Sequence, residues 1–232
     1  MISVQKLNKT FGKLTVLDEI SFDIKEGGIF AVLGPNGSGK TTFLKIVLGM
    51  VIPDKGRVTY NGEDILGSWE YRKQVGYLPQ IARFPDNLTV SEIIHMIRDI
   101  RNEYADYKSL VTLFKLDKFM DKKLGNLSGG TRQKVNLVLT FMFDTPLIVL
   151  DEPTAGLDPV SIIKLKELLS EKKSQGKIIL ITSHIMSLVE EVADEVIFLL
   201  EGKIYFQGTL AALRKETGSK DLEHSIAAIL ES

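Results

Sequence analysis

Residues Gly34 to Thr42 read GPNGSGKTT and follow the apolar run Ile29 to Leu33 without a gap. The string fits G-x-x-x-x-G-K-[ST] at Gly34, Gly39, Lys40 and Thr41. Its chemistry requires a strand before it and a helix after it. Glycines let the backbone wrap closely round phosphate oxygens, and a helix over Thr41 to Leu48 aims its first amides and about half a positive charge at them. Gly34, Pro35, Asn36, Gly37, Ser38, Gly39, Lys40, Thr41 and Thr42 are therefore the candidate phosphate-binding residues. Lys40 supplies a point charge for β and γ phosphates, and the Thr41 hydroxyl is a candidate Mg²⁺ ligand. The plainer alternative is a turn that only joins strand to helix. With glycine near 7% of residues, chance gives the four-position match in roughly one chain of this length in a hundred.

A second acidic element fits the same chemistry. Leu147 to Glu152, LIVLDE, delivers two adjacent carboxylates from a buried strand, at the edge where open α/β sheets bind ligands. Asp151 is the candidate Mg²⁺ holder through water, and Glu152 the candidate general base. Acidic pairs after strands often do no more than cap the next helix; the phosphate loop tips the balance towards catalysis.

The rest of the pattern predicts an α/β protein. Ile29 to Leu33, Leu147 to Leu150, Ile178 to Ile181 and Val196 to Leu200 are continuous apolar runs, as expected of parallel strands covered on both faces. Ile20 to Lys25 alternates apolar and polar residues, and Arg57 to Tyr60 with Asn61-Gly62 reads as a strand entering a hairpin. These predict an N-terminal antiparallel sheet. Asp158 caps a helix over Pro159 to Ser174, and Thr89 with Glu92 forms a capping box. Val196 to Leu200 and Lys203 to Gln207 read as a closing hairpin across Glu201-Gly202. The expected organisation is one domain over 1–232: a core from 1–80 and 141–208, an inserted helical subdomain at 81–140, and a short helical tail at 209–232. Hydrophobic residues at 44% and charged residues at 25% exclude disorder, and a net charge of −1 provides no field for nucleic acid. No cysteine is present, which excludes disulfides and thiolate sites and fits a reducing compartment. The opening MISVQKLNKT has no signal-peptide core, and no apolar run approaches the ~20 residues of a membrane helix.

Leu127 to Thr131, LSGGT, makes the resemblance specific: LSGG between a phosphate loop and an acidic strand resembles the signature of ABC ATPases. Ser128, Gly129 and Gly130 open a helix running toward Phe143, so a hydroxyl, amides and a dipole can meet a γ-phosphate. In that family the phosphate belongs to the opposite subunit, which implies two composite ATP sites in a head-to-tail dimer. The resemblance also implies a P-loop NTPase fold with a RecA-like, mostly parallel sheet. It makes Gln80 in YLPQ similar to the glutamine that senses Mg²⁺ and the attacking water, and His184 similar to the switch histidine that contacts the γ-phosphate and supports Glu152. Ala155 to Asp158 resembles the loop that crosses the dimer interface. Phe11 stands where the family stacks an aromatic ring on adenine, although an edge-strand core aromatic explains it equally well. Thr131 replaces the usual signature glutamine, and Phe11 a more typical tyrosine. His95 and His224 read as surface helix positions.

The implied function is the ATP-hydrolysing subunit of a transporter, with ATP and Mg²⁺ as cofactors. A second copy of the chain and an integral membrane permease are the implied partners, with no nucleic acid, and the implied location is the cytoplasmic face of the cell membrane. The runs YLPQ, LSGGTRQKVN and DEPTAGLDPVS look most like the bacterial ATPases encoded beside nitrous oxide reductase that assist its copper-site maturation. The alternative is a soluble ABC ATPase acting on ribosomes or nucleic acid. Such proteins usually carry two cassettes or a long coiled-coil insertion, whereas only 48 residues lead from Gln80 to Ser128 here.

Overall fold

The computed structural model describes residues 1–25 and 27–231; Glu26 and Ser232, the last residue of the expected tail, lie outside the described residues. The chain opens with β1 (Ile2–Phe11) and β2 (Leu14–Ile24), paired antiparallel. The alternation at Ile20 to Lys25 marks only the second half of β2. Both strands carry a bulge, at Lys6 (φ 45°) and Glu19 (φ 51°), which returns Leu7 and Leu17 to the buried face after the alternation slips. The chain then crosses to a second sheet as β3 (Gly28–Leu33), enters helix α1 (Lys40–Val47), and returns to the first sheet as β4 (Lys55–Tyr60) and β5 (Glu63–Asp64). Asn61 and Gly62 both have positive φ, as the predicted tight hairpin requires. The first sheet has the order β2-β1-β4-β5.

A short edge strand, β6 (Val75–Leu78), follows a 3₁₀ turn. The region from 81 to 141 is helical apart from short turns: α2 (Val90–Arg101), α3 (Tyr107–Leu113) and α4 (Gly129–Phe141). The Thr89–Glu92 capping box forms in both directions, side chain to backbone and back. Then β7 (Leu147–Asp151), α5 (Pro159–Ser174), β8 (Ile178–Thr182), α6 (Met186–Val192), β9 (Glu195–Leu200) and β10 (Lys203–Thr209) complete the second sheet. The tail forms α7 (Leu210–Thr217) and α8 (Leu222–Glu231).

The second sheet has the order β10-β9-β3-β8-β7-β6, parallel except for β10. Its strands read as unbroken apolar runs because each face has a cover. Ile29, Ala31, Leu33, Ile148, Leu150, Ile179 and Ile181 pack into one core with the helical layer. The intervening Phe30, Val32, Leu147, Val149, Ile178 and Leu180 pack into another, with α1 and the antiparallel sheet. The fold is thus α/β with an antiparallel β layer and a mostly parallel sheet, as expected. It brings the C-terminal ends of β3, β7 and β8 side by side, where Asp151 on β7 pairs in register with Thr182 on β8.

Candidate functional site

The glycine loop leaves β3 at Gly34, which no other residue can replace: its φ is 145°, and a Cβ there would lie 2.1 Å from the Leu199 carbonyl oxygen. Gly39, also at positive φ, is the residue before α1. Lys40 is nearly buried, and its ammonium donates to the carbonyls of Gly34 at 2.8 Å and Pro35 at 2.9 Å. Burial pulls its pKa below the ordinary lysine value, against the opposing pull of Glu152 and Asp151. The Ser38 hydroxyl is buried in this loop without a hydrogen-bond partner among the described residues.

The acidic pair ends β7. Asp151 is 4% exposed and accepts a 2.6 Å hydrogen bond from the Thr182 hydroxyl. Glu152 turns out of the strand at φ 52°, a left-handed conformation that a non-glycine residue keeps only when its surroundings hold it. Its amide is shared between the Thr182 hydroxyl at 3.1 Å and the Thr182 carbonyl at 3.2 Å. Its carboxylate faces the loop after β8: Oε2 accepts from the His184 amide at 3.3 Å, and Oε1 lies 3.2 Å from His184 Nε2. That second contact is close but not aligned as a hydrogen bond, so Oε1 is a buried acceptor without one. Burial raises the Glu152 pKa above the usual carboxylate value, with His184 opposing the shift.

These groups share a cleft of about 260 Å³ lined by Leu14, Val16, Asn36, Gly37, Gly39, Lys40, Thr41, Thr42, Gln80, Asp151, Glu152 and His184. The structure therefore gathers the loop, Gln80, the acidic pair and His184 in one place. An oxygen-bearing donor set of Thr41, Gln80 and Asp151 in the cleft lining suits a hard cation such as Mg²⁺. No cluster of three or more His, Asp or Glu side chains forms a site of its own among the described residues.

Of the loop, Gly34, Pro35 and Ser38 do not line that cleft, and two other sets of sequence-predicted residues stand apart from it. Phe11 is half exposed at the β1–β2 hairpin, under the Lys9 ammonium at 5.1 Å; its strand partner Leu14, with Val16, lines the cleft instead. Gly129 and Gly130 border a second cleft of about 350 Å³ with Ile81, Ala82, Arg132, Gln133, Ala155 and Gly156, and only Gln80 belongs to both. Here Ser128 caps α4, accepting from the Thr131 amide at 3.3 Å, and the two hydroxyls lie 2.9 Å apart. Thr131, in place of glutamine, thus turns back onto Ser128. Asp158 caps α5 and pairs with Lys134 of α4 at 2.6 Å, and these bonds hold its carboxyl far below the usual range. His224 is exposed and bonded to Asp221, whereas His95 is more internal than a surface position, its ring packed edge-on against Tyr107.

Several residues at the site carry no motif. Thr182 sits at the end of an apolar run, and Gln133, buried on α4, donates to the Pro153 carbonyl at 3.1 Å, two positions beyond Asp151. The readable signal for Gln133 was a polar side chain on an otherwise apolar helix face, repeated three residues later by Asn136, which donates to the Pro79 carbonyl beside Gln80. No helix among the described residues is long and apolar enough to cross a membrane.

Known proteins place this arrangement. The model of a family described as "ABC transporter" matches residues 17–155. The chain is 31% identical over 229 residues to the lantibiotic transport ATP-binding protein SrtF of Streptococcus pyogenes, covering 96% of this chain and 94% of that one. Its fold superimposes on a solved ATP-binding subunit of an ABC transporter with a TM-score of 0.92 and 28% identity, over 99% of each chain. A second solved structure, the dimeric bacterial ABC transporter cassette MJ0796, matches with a TM-score of 0.82 and 24% identity over 90% of this chain and 99% of that one.

Proposed function

The chain belongs to the ABC transporter family of ATP-binding proteins and is an ATPase of that family, and on that premise we propose that it is the motor subunit that drives a separate membrane permease. The observation that carries the reading is the single cleft uniting Lys40, Thr41, Gln80, Asp151, Glu152 and His184. Backbone amides of Gly34 to Thr42 and the Lys40 ammonium bind the β and γ phosphates of ATP, exchanging the lysine's bonds to two loop carbonyls for stronger ones to phosphate oxygens. Thr41, Gln80 and Asp151 would hold Mg²⁺, which when bound would neutralise charge on the phosphate oxygens. Glu152 takes the proton of the attacking water at Oε1, the carboxylate oxygen with no hydrogen bond, and its raised proton affinity suits that task. His184 keeps the base in place through its amide and stands beside the γ-phosphate.

Gly129 and Gly130, on the helix that Ser128 caps, lie on a cleft that lacks every residue of the phosphate loop, so within one subunit these residues have no nucleotide to meet. A second copy, docked head-to-tail, gives them one, as the dimeric state of MJ0796 supports. The β1–β2 hairpin receives the adenine, with Leu14 and Val16 lining the cleft and Phe11, half exposed outside that lining, stacking on the part of the ring that extends beyond it. ATP binding closes this dimer and hydrolysis reopens it. Gln80, shared by both clefts, and the helical region passes the motion to a membrane partner on the cytoplasmic face. For the cargo, the runs YLPQ, LSGGTRQKVN and DEPTAGLDPVS support copper-enzyme maturation of the nitrous oxide reductase type, whereas SrtF carries a lantibiotic transport name. The test is to purify the tagged chain from solubilised membranes of its host. Recovery with an integral membrane protein and ATPase activity is the expected result; recovery with ribosomes or nucleic acid instead would establish the soluble alternative.

A further inference from the structure

Thr182 ends a strand whose other residues, Ile178, Ile179, Leu180 and Ile181, are all apolar and buried, and it is itself 0% exposed. A hydroxyl at such a position is unfavourable unless its bonds are used. The parallel register of β7 and β8 sets it beside Asp151. The hydroxyl has one proton, and an ionised aspartate only accepts, so that proton goes to Asp151 Oδ1 at 2.6 Å. The oxygen's lone pairs are then left to accept, and one takes the Glu152 amide at 3.1 Å. One hydroxyl therefore fixes the carboxylate of the first acid and the backbone of the second. It does so where Glu152 adopts φ 52°, and that turn is what brings the Glu152 carboxylate to the His184 amide.

We propose that Thr182 is a positioning residue for ATP hydrolysis, its hydroxyl orienting Asp151 toward the metal and holding the left-handed turn that aims Glu152 at the water. The proposal rests on the roles assigned above to Asp151 and Glu152. Removing the hydroxyl frees the Asp151 rotamer and leaves the Glu152 amide with the Thr182 carbonyl alone. A hydrogen bond to a charged group is worth about 10- to 100-fold in rate when it is needed in the transition state.

The test compares Thr182→Val, Thr182→Ser and Glu152→Gln in the full chain, with Thr182→Ala measured beside them in case the valine variant melts early. Expected for Val or Ala is a fall in kcat of about 10- to 100-fold and a higher Mg²⁺ concentration for half-maximal rate. Binding of a fluorescent ATP analogue in EDTA stays at the wild-type level, because the phosphate loop is untouched. Thr182→Ser restores both the rate and the Mg²⁺ response. Wild-type kcat and Mg²⁺ response in the Val or Ala variant, with Glu152→Gln inactive, would overturn the positioning role and leave the functional reading intact. A Glu152→Gln variant that hydrolyses normally would instead remove that reading, and the role of Thr182 with it.

Discussion

Gly129 and Gly130 are neighbours in the same helical turn, yet the structure predicts opposite outcomes for the same substitution. A Cβ added at Gly130 would lie 2.4 Å from the carbonyl oxygen of Gly156, whereas one added at Gly129 meets nothing within 4 Å. Ordinary C···O contact begins near 3.3 Å, so Gly130→Ala must push α4 and the 155–158 loop apart by about 0.9 Å. Both sides are backbone, so no side chain can swing away. Overpacking of this kind costs about 1 to 3 kcal/mol, and alanine's better helix propensity returns less than about 1 kcal/mol of it at a first-turn position. A remaining loss of about 1 to 2 kcal/mol lowers Tm by about 2 to 8 °C in a protein of this size. Gly129→Ala should leave Tm unchanged or slightly raised, while its methyl stands on the open face proposed above to meet the partner's nucleotide, so ATPase activity is expected to fall. Thermal melts read by circular dichroism, paired with a phosphate-release assay, separate the two. Equal melting of the two variants, or a Gly130→Ala protein with wild-type Tm and rate, would refute the close approach of signature helix and loop.

Two further outcomes follow from charge. Burial raises the Glu152 pKa, so the folded state binds its proton more readily than the unfolded chain, and Glu152 lowers stability progressively as pH rises above the ordinary carboxylate value of 4.5. Glu152→Gln should therefore gain Tm over wild type at pH 8 and gain less at pH 5, while the wild-type rate falls on the acid side through a pKa above 4.5; a pH-independent Tm difference would contradict this. Asp158 is the reverse case: its bonds from Lys134 and Ser161 depress the folded pKa, so the stability it adds is complete above the ordinary value of 3.8 and fades as pH drops below it. Asp158→Ala removes the cap of α5 and should cost about 1 kcal/mol at pH 7, read by urea denaturation, with little difference from wild type at the acid end.

The parallel strands were legible because burial on both faces leaves only apolar residues, and the caps at Asp158 and Thr89 because capping is local chemistry. β1 was not legible: the bulge at Lys6 shifts its buried residues from Ile2 and Val4 to Leu7, so no period of two survives, and the matching bulge at Glu19 hides the first half of β2. β6 has only four residues, one of them Gly76, too few to show a period. At the site, motifs announced most of the groups that share the cleft, since phosphate chemistry needs fixed residue types at fixed spacing. They did not announce Thr182 or Gln133, whose partners, 31 and 20 positions away, are set by strand register and helix docking. Nor did a motif announce Leu14 and Val16, which the hairpin presents to the cleft while Phe11 stays half exposed outside its lining.

The central claim is that this chain hydrolyses ATP through Glu152 in a site completed by a second copy. Purified Glu152→Gln protein, incubated with ATP and Mg²⁺ and followed by phosphate release and by light scattering for mass, tests both halves at once. Phosphate release is expected to fall by at least about 100-fold while the mass moves from monomer to dimer and stays there until ATP is removed. Hydrolysis at the wild-type rate, or a protein that binds ATP and remains a monomer, would contradict the claim.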